Sequence, residues 1–317
     1  MPLKRPKPPE PNSPEHSPPV LTSGGGSIPF GSPSRVSATD LRRLIECPLA
    51  CWYAAQEPFE TAAPTLGLAI GQIVHNCRAE LSQGSWQRYT DAHQAKEIWS
   101  QAIERENREL IDANFDRHVF LDAFGERALA ARRSYTSLLL AMERQRAARA
   151  CELLAKGILG PSLANRVLPF EVEVPVYSDT NDFAGVCDEV WLDGEYIVPV
   201  ELKTSPPTKE HIQANRAQAA AYGFLFTEAS GQKVRECRVH YLTQGTIDSF
   251  RFDKKWQARV PRLIEGVRAN RATRQPPKGR PSSAICGYCS FQAICPESKA
   301  PTLVESMDSI FRSEVKA

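Results

Sequence analysis

The segment Gly185–Ser205 reads GVCDEVWLDGEYIVPVELKTS and holds two apolar, strand-prone runs on either side of Asp193-Gly194. An Asp-Gly pair between such runs is a strong signal for a two-residue β-hairpin turn. Pairing across this turn predicts that Asp188 lies opposite Pro199. Glu201 then becomes a diagonal neighbour of Asp188, at roughly 7–8 Å.

The hairpin is predicted to gather charged side chains on one face. Side chains alternate along a strand, so Asp188, Glu201 and Lys203 are expected to point the same way. The other face is apolar and is expected to be core; it carries Cys187, Trp191, Tyr196, Val198, Val200 and Leu202. Two acids and a lysine aimed together from an apolar hairpin are costly to desolvate unless a ligand binds them. The pattern therefore predicts a cation held between the two carboxylates.

The bulk properties of the chain set limits on its class. It has 317 residues with 42% hydrophobic content, which supports a proper core, and a net charge of +2, so any nucleic-acid surface must be local. Its apolar runs fall short of the ~20 residues of a membrane span. Basic residues near the N-terminus have no apolar segment behind them, which is not the pattern of a secretory signal. These features predict a cytoplasmic protein without membrane partners.

Upstream of the hairpin the pattern is helical after a tail over 1–34, which is rich in proline and predicted to be disordered. Ser37 or Thr39 can cap the first helix. Helices are predicted over 40–46, 64–82, 88–116 and 120–158. In the second helix Gly67, Gly71 and His75 recur every four residues and so share a face. The last helix carries arginines that suit a solvated face and a DNA-facing surface equally: Arg127, Arg132, Arg133, Arg144, Arg146 and Arg149.

Around and beyond the hairpin, strands alternate with helices. Strands are predicted over 167–177, 234–243 and 246–252, and helices over 209–228 and 254–273. Gln218 and Tyr222 lie one turn apart in the first of these helices, where Tyr222 suits plain core packing as well as a functional role. A linker over 275–283 leads to a cysteine-rich end.

Nine cysteines in a reducing compartment favour metal or cluster ligation by a subset of them. Cys286, Cys289 and Cys295 form a compact trio in a turn-rich stretch, and a fourth ligand is expected from elsewhere in the chain. Cys47, which precedes a proline, is the best candidate, and Cys51 is its rival. The residues alone suit a zinc knuckle and an iron–sulfur cluster equally.

These pieces together resemble a known family. In chain order they are Cys47-Pro48, Gly71-x3-His75, Gly185-Val186-Cys187-Asp188, Glu201-Leu202-Lys203, Gln218-x3-Tyr222 and the Cys286/Cys289/Cys295 trio. The set resembles the PD-(D/E)XK nucleases of the RecB type, in the branch with an iron–sulfur staple that includes exonuclease V-like enzymes and CRISPR-adaptation nucleases. Each motif alone is weak, but six in family order are specific.

The resemblance implies a fold and a domain plan. The fold is α/β (α+β), a restriction-endonuclease-like core with a mixed central β-sheet flanked by helices. The nuclease domain spans 35–297, with a helical insertion at about 85–160 and a C-terminal iron–sulfur knot at 284–297; residues 298–317 form a tail. The resemblance favours Cys47 over Cys51 as the fourth ligand, and a 4Fe-4S cluster over zinc.

The resemblance also implies a site and a chemistry. Asp188, Glu201, the backbone carbonyl of Leu202 and His75 would hold Mg²⁺ or Mn²⁺. Lys203 would orient the attacking water and offset phosphate charge. Gln218 and Tyr222 would position the lysine or the DNA strand. Glu173, on the preceding strand, is a candidate for an outer acid near the metal.

The function that follows is a metal-dependent DNA nuclease, a single-strand exonuclease in repair or recombination. Processing of DNA ends for CRISPR adaptation is an alternative within the same class. A non-catalytic DNA-binding module is the alternative from another class, and the intact acid–lysine set argues against it. Because the P-loop pattern GxxxxGK[ST] does not occur in the sequence, the chain is expected to act alone or with a separate helicase, recombination or CRISPR partner.

Overall fold

A computed structural model describes residues 35–56, 65–92 and 98–299. The predicted tail over 1–34 and nearly all of the predicted tail over 298–317 lie outside these residues. Among the helices that are described, none combines the length and the apolar composition of a membrane span.

A mixed sheet organises the described residues. Its strands are β1 (Val36–Ser37), β2 (Glu171–Ser178), β3 (Phe183–Asp193), β4 (Tyr196–Lys203), β5 (Glu236–Tyr241) and β6 (Thr246–Arg251). Strand β3 pairs with β2 along one edge, and on its other edge β1 covers Phe183 and Ala184 while β4 covers Glu189 onward. Strand β5 follows β4 in parallel, and β6 closes the sheet antiparallel. The edge of β3 between β1 and β4 is therefore the place where the sheet splits.

The hairpin forms as predicted, but the predicted register is wrong. Asp193 pairs with Tyr196, so the two turn residues are Gly194 and Glu195 rather than Asp193 and Gly194. Gly194 has φ +62°, a left-handed conformation that glycine adopts freely. Because the shift is two residues, it does not by itself move any side chain to the other face of the hairpin.

The sheet is irregular beside Asp188. The β2–β3 ladder pairs Val172 with Glu189 and then Val174 with Cys187, so Glu173 and Asp188 lie between regular pairs. Glu173 has φ +50°, which is rare for a residue with a side chain. This break explains one wrong expectation: Cys187 packs in a different core from Trp191, Val198, Val200 and Leu202.

Helices cover both faces of the sheet. They are α1 (Ala38–Glu46), α2 (Pro48–Tyr53), α3 (Leu66–Thr90), α4 (Gln101–Asp116), α5 (Glu126–Ala155), α6 (Gly160–Val167), α7 (Lys209–Ser230), α8 (Lys254–Ala272) and α9 (Ser283–Cys286). One core lies between the sheet and α1, α7 and α8, and a second lies between β4 and the helices α3, α4 and α5. The predicted mixed sheet flanked by helices is confirmed.

The helical region before β2 differs from the prediction in its bounds. Helix α3 runs through Gly84 to Thr90 instead of ending at 82, a 3₁₀ turn over Val119–Phe124 precedes α5, and the region expected to begin β2 at 167 is the end of α6. The extension is stabilised by burial, because Ser85 and Tyr89 are at most 2% exposed and Tyr89 packs in one core with Ala147 of α5 and Leu163 of α6. The polar residues Gln87 and Arg88 between them hide the helical period from sequence inspection.

Candidate active site

Asp188 lies just before the β3 residues that pair with β4. Its side chain makes a hydrogen bond to β4 where the backbone ladder between the two strands is missing. Its Oδ2 accepts a hydrogen bond from the Leu202 backbone N–H at 2.6 Å. Its Oδ1 lies 3.2 Å from Nδ1 of His75, which projects from α3. The structure thus brings together the aspartate and the histidine that the motifs nominated. Leu202 touches this group through its N–H, and ligation by its carbonyl stays a prediction.

Three side chains converge tightly enough to bind one ion. One ligand atom each from His75, Glu173 and Asp188 lies within 4.8 Å of the others. Two carboxylates and an imidazole are a donor set for a hard divalent cation, with the imidazole favouring manganese somewhat. Glu173, which sequence reasoning treated as an outer acid, is therefore as well placed as the nominated ligands. The strained φ of Glu173 could not be read from its strand-like sequence.

Glu201 lies beside this group and has an unsatisfied oxygen. Glu201 is 2% exposed, one oxygen accepts a hydrogen bond from Lys203, and the buried Oε2 has no partner. A buried carboxylate oxygen without a partner costs free energy, which a bound cation would recover. The residues present therefore fit a divalent ion.

The charges of these groups are strongly coupled. Burial alone would lower the pKa of His75, but the Asp188 carboxylate outweighs it and raises that pKa to about 9. Glu173 is partly exposed, yet burial of its carboxyl and the charge of Asp188 raise its pKa to about 7. Burial and Asp188 also raise the pKa of Glu201. A cation bound by these groups would compete with protons, so metal binding is expected to release them.

Lys203 is held from the α7 side. Its Nζ donates to Glu201 and, at 3.0 Å, to Oε1 of Gln218, whose Nε2 in turn donates to the Tyr222 hydroxyl at 3.2 Å. The Tyr222 ring packs against Gly185, where a Cβ would lie only 2.8 Å from Tyr222 Cε1. The glycine of the Gly185–Asp188 motif and the tyrosine of the Gln218–Tyr222 motif are therefore in close contact.

The four nominated cysteines line one pocket. Cys47 enters it from the start of α2, and Cys286, Cys289 and Cys295 surround it from the C-terminal segment, with apolar neighbours such as Leu49 and Phe291. The backbone N–H of Arg280 donates to the Cys47 sulfur at 3.4 Å. The rival Cys51 is fully buried in the core under α1 and α7.

The donor set of this pocket fits a metal group. Burial raises the pKa of Cys289 and Cys295, and the neighbouring thiols add to the effect. Thiolates at Cys289 and Cys295, which burial disfavours, would be stabilised by a bound metal ion or cluster. Both a 4Fe-4S cluster and a tetrahedral zinc ion take four cysteine thiolates, so the fit is equal for the two.

The arginines of α5 have varied surroundings. Arg146 is buried and lies 2.8 Å from Glu143, so neither a solvated nor a DNA-facing role describes it. Arg132 and Arg144 form ion pairs with acids of α4. Much of the positive charge of α5 is therefore paired with acidic side chains of α4 and of α5 itself.

Comparisons with known proteins bear on the family of the chain. A sequence profile of the PD-(D/E)XK nuclease superfamily matches residues 35–296. The chain is also 27% identical over 143 residues to the CRISPR-associated exonuclease Cas4 of Thermoproteus tenax, which covers 43% of this chain and 70% of that protein.

Proposed function

Since the chain belongs to the PD-(D/E)XK nuclease superfamily, we propose that it is a divalent-metal-dependent DNA exonuclease acting on single strands. The observation that carries this proposal is the convergence of His75, Glu173 and Asp188 beside Glu201, whose buried Oε2 lacks a partner. Exonuclease action is supported by the similarity to the CRISPR-associated exonuclease of Thermoproteus tenax.

The proposed roles follow from the contacts of each residue. His75, Asp188, Glu201 and the Leu202 carbonyl would hold Mg²⁺ or Mn²⁺, and Glu173 joins this set by its position. A bound divalent ion supplies an activated water and neutralises phosphate charge. Lys203 would orient the water and stabilise the charge that develops on the phosphate. Gln218 and Tyr222 keep the ammonium group in place by the hydrogen bonds that connect them.

The four-cysteine pocket would hold a 4Fe-4S cluster, which the resemblance to the iron–sulfur branch favours over zinc. Its proposed role is a staple that joins Cys47 to the C-terminal trio. Anaerobic purification should give brown protein with iron and acid-labile sulfide. Colourless protein with one zinc per chain would show that the pocket forms a zinc knuckle and does not hold a cluster.

A second candidate function is the trimming of DNA ends for CRISPR adaptation, which the same relative favours. Repair or recombination with a helicase partner is the competing setting. Both settings use the same chemistry, so they differ in partner proteins and not in the site.

The test is digestion of end-labelled linear and closed circular single-stranded DNA with Mg²⁺ or Mn²⁺. Wild type should cleave the linear strand and spare the circle. Glu201→Ala and Lys203→Ala should abolish cleavage while retaining DNA binding, and the exposed neighbour Lys209→Ala should cleave normally. Cleavage at the wild-type rate by both site variants would overturn the active-site assignment. DNA binding without cleavage by wild type would favour the non-catalytic module.

A further inference from the structure

The glycine face of α3 leads outward from the candidate site. His75 stands at its inner end, and Gly71 and Gly67 follow at one and two turns, so the face extends about 12 Å at 1.5 Å per residue. A Cβ at Gly71 would lie 3.5 Å from Oγ1 of Thr204, the residue after Lys203. The face therefore runs beside the catalytic end of β4.

An aromatic ring lies at the outer end of this face. Two ring carbons of Tyr288 would be 3.1 Å from a Cβ at Gly67, so the absence of a side chain there allows the ring to lie against the helix. Tyr288 comes from the cysteine segment, between Cys286 and Cys289, and is 47% exposed. A large aromatic that is packed on one side and open on the other has a free face for a ligand.

A second tyrosine borders the same path. The Tyr135 hydroxyl of α5 donates to the Thr204 carbonyl at 3.5 Å. Burial raises the pKa of Tyr135, and the Tyr288 hydroxyl contributes to that rise, which is consistent with two nearby phenols. From the metal site outward, the path is thus bordered by Thr204, Tyr135 and Tyr288, with glycines on the helix side.

We propose that Tyr288 is a stacking platform for one base of the single strand whose end is being cleaved, an inference that rests on the proposed function. The Tyr288 ring covers α3 at Gly67, so the strand would pass over the exposed side of the ring. At 3.4 Å per stacked nucleotide, about 12 Å places this base three or four nucleotides from the scissile phosphate. Stacking on an aromatic side chain accepts any base, so the contact contributes affinity and position without sequence preference.

The experiment measures base stacking directly, apart from cleavage. Single-stranded oligonucleotides carry one 2-aminopurine, whose fluorescence is quenched on stacking, at each position from two to eight nucleotides from the end. They are titrated with Glu201→Ala protein, with and without a second substitution at Tyr288. Tyr288→Leu keeps the apolar contact with Gly67 but removes the ring, and Tyr288→Phe keeps the ring. Ile294→Ala is the matched control, because Ile294 is an exposed apolar residue of the same cysteine segment.

Quenching should peak at one position about three or four nucleotides from the end. Tyr288→Leu should remove that peak and weaken binding by on the order of tenfold. Tyr288→Phe and Ile294→Ala should retain both. A uniform quenching profile, or a peak that survives in Tyr288→Leu, overturns the stacking proposal. Cleavage by the wild-type protein is assayed in parallel: its absence would contradict the proposed function, and the fluorescence result would still decide on Tyr288.

Discussion

The imidazole of His211 joins the two ends of the described chain through Glu46. Its Nδ1 lies 2.8 Å from Oε1 of Glu46, and its Nε2 lies 3.2 Å from the carbonyl oxygen of Ala284. Both partners are acceptors, so both ring nitrogens donate, and the bond to Glu46 raises the pKa of His211. Glu46 immediately precedes Cys47, and Ala284 is two residues before Cys286. His211 therefore ties α7 to both sides of the cysteine pocket.

Replacing His211 by leucine should loosen this junction. Glu46 is 7% exposed, and its carboxylate would keep Arg42 but lose its second partner. We expect a loss of about 1–3 kcal/mol in the free energy of unfolding, typical of a buried partner left unsatisfied. Thermal unfolding and the rate of metal loss to a chelator measure the effect. Gln213→Ala, at an exposed position of the same helix, should change neither. An unchanged rate of metal loss in His211→Leu would show that the junction does not support the pocket.

Gly185→Ala should destabilise the core and disturb Lys203. The added Cβ would lie 2.8 Å from the Tyr222 ring and 3.1 Å from Cβ of Ala38, in a buried site. Overpacking of this kind costs roughly 1–3 kcal/mol. Gly84→Ala is the control, because its Cβ meets nothing within 4 Å and alanine favours the helix. Denaturant unfolding should show opposite signs for the two variants, and equal stabilities would refute the close contact.

The order of elements around Asp188 could be predicted because local signals were strong there. Ser37 does cap α1, with Asp40 completing a reciprocal pair of hydrogen bonds, and α7 runs Lys209–Ser230 against a prediction of 209–228. The hairpin register could not be fixed, because both Asp193-Gly194 and Gly194-Glu195 are acceptable turns. Only packing on the sheet decides between them.

Other parts of the site depend on contacts between distant segments. Tyr288 packs on Gly67, and His211 contacts Glu46, although no local pattern connects the residues of either pair. The left-handed backbone of Glu173 likewise has no local sequence signal. The sequence nominated Gln218 and Tyr222 only through a family motif. The hydrogen bonds that give them a physical role become visible only when α7 is placed over β4.

Gln218→Ala should lower the rate constant more than the affinity. Gln218 lies outside the proposed metal ligands; its Oε1 accepts a hydrogen bond from the Lys203 ammonium at 3.0 Å. A misplaced catalytic group typically costs about 10- to 100-fold in rate. We expect this loss in kcat with little change in KM, and partial recovery in Gln218→Glu, which keeps an acceptor. Gln213→Ala should behave as wild type, and a change confined to KM would assign Gln218 to DNA binding instead.

His240 should make the protein sensitive to acid. It lies in a cleft with Arg78 and Arg146, and burial together with these two positive charges lowers its pKa to about 4. The unfolded chain takes up a proton on this histidine near its ordinary pKa of about 6.5. Stability is therefore lost as the pH falls from about 6.5 toward 4, by about 1–2 kcal/mol at pH 5 from this group.

The measurement is the melting temperature at pH 7.5 and pH 5.0 in wild type and His240→Gln. Since glutamine does not titrate, the variant should lose less stability between the two pH values. At pH 7.5 this linkage contributes nothing, so any difference there reports only the change of side chain. An equal loss on acidification in both proteins would exclude His240 as the titrating group.

The cysteine pocket should govern the stability of the whole nuclease domain. A metal group shared by Cys47 and Cys286 would close a loop of about 240 residues, which removes about 5–6 kcal/mol of unfolded-chain entropy in the cross-link model. That is comparable with the total stability of a typical domain. Loss of one ligand should free α2 and the C-terminal segment, including the Tyr288 that packs on α3.

Cys295→Ser and Cys47→Ser should therefore each lose bound metal, melt at a lower temperature and become sensitive to proteolysis at both ends of the domain. Cys151→Ser is the matched control, since Cys151 is exposed on α5 and outside the pocket. Cys51→Ala tests the rival ligand: it opens a small hole in the core under α1 but should keep the metal, because Cys51 does not line the pocket.

Iron and zinc content, thermal unfolding and limited proteolysis are measured on all four variants. Metal loss in Cys51→Ala but not in Cys47→Ser would show that Cys51, and not Cys47, is the fourth ligand. A lowered melting temperature in Cys295→Ser alone would mean that the pocket stabilises only the C-terminal segment and does not join the chain ends.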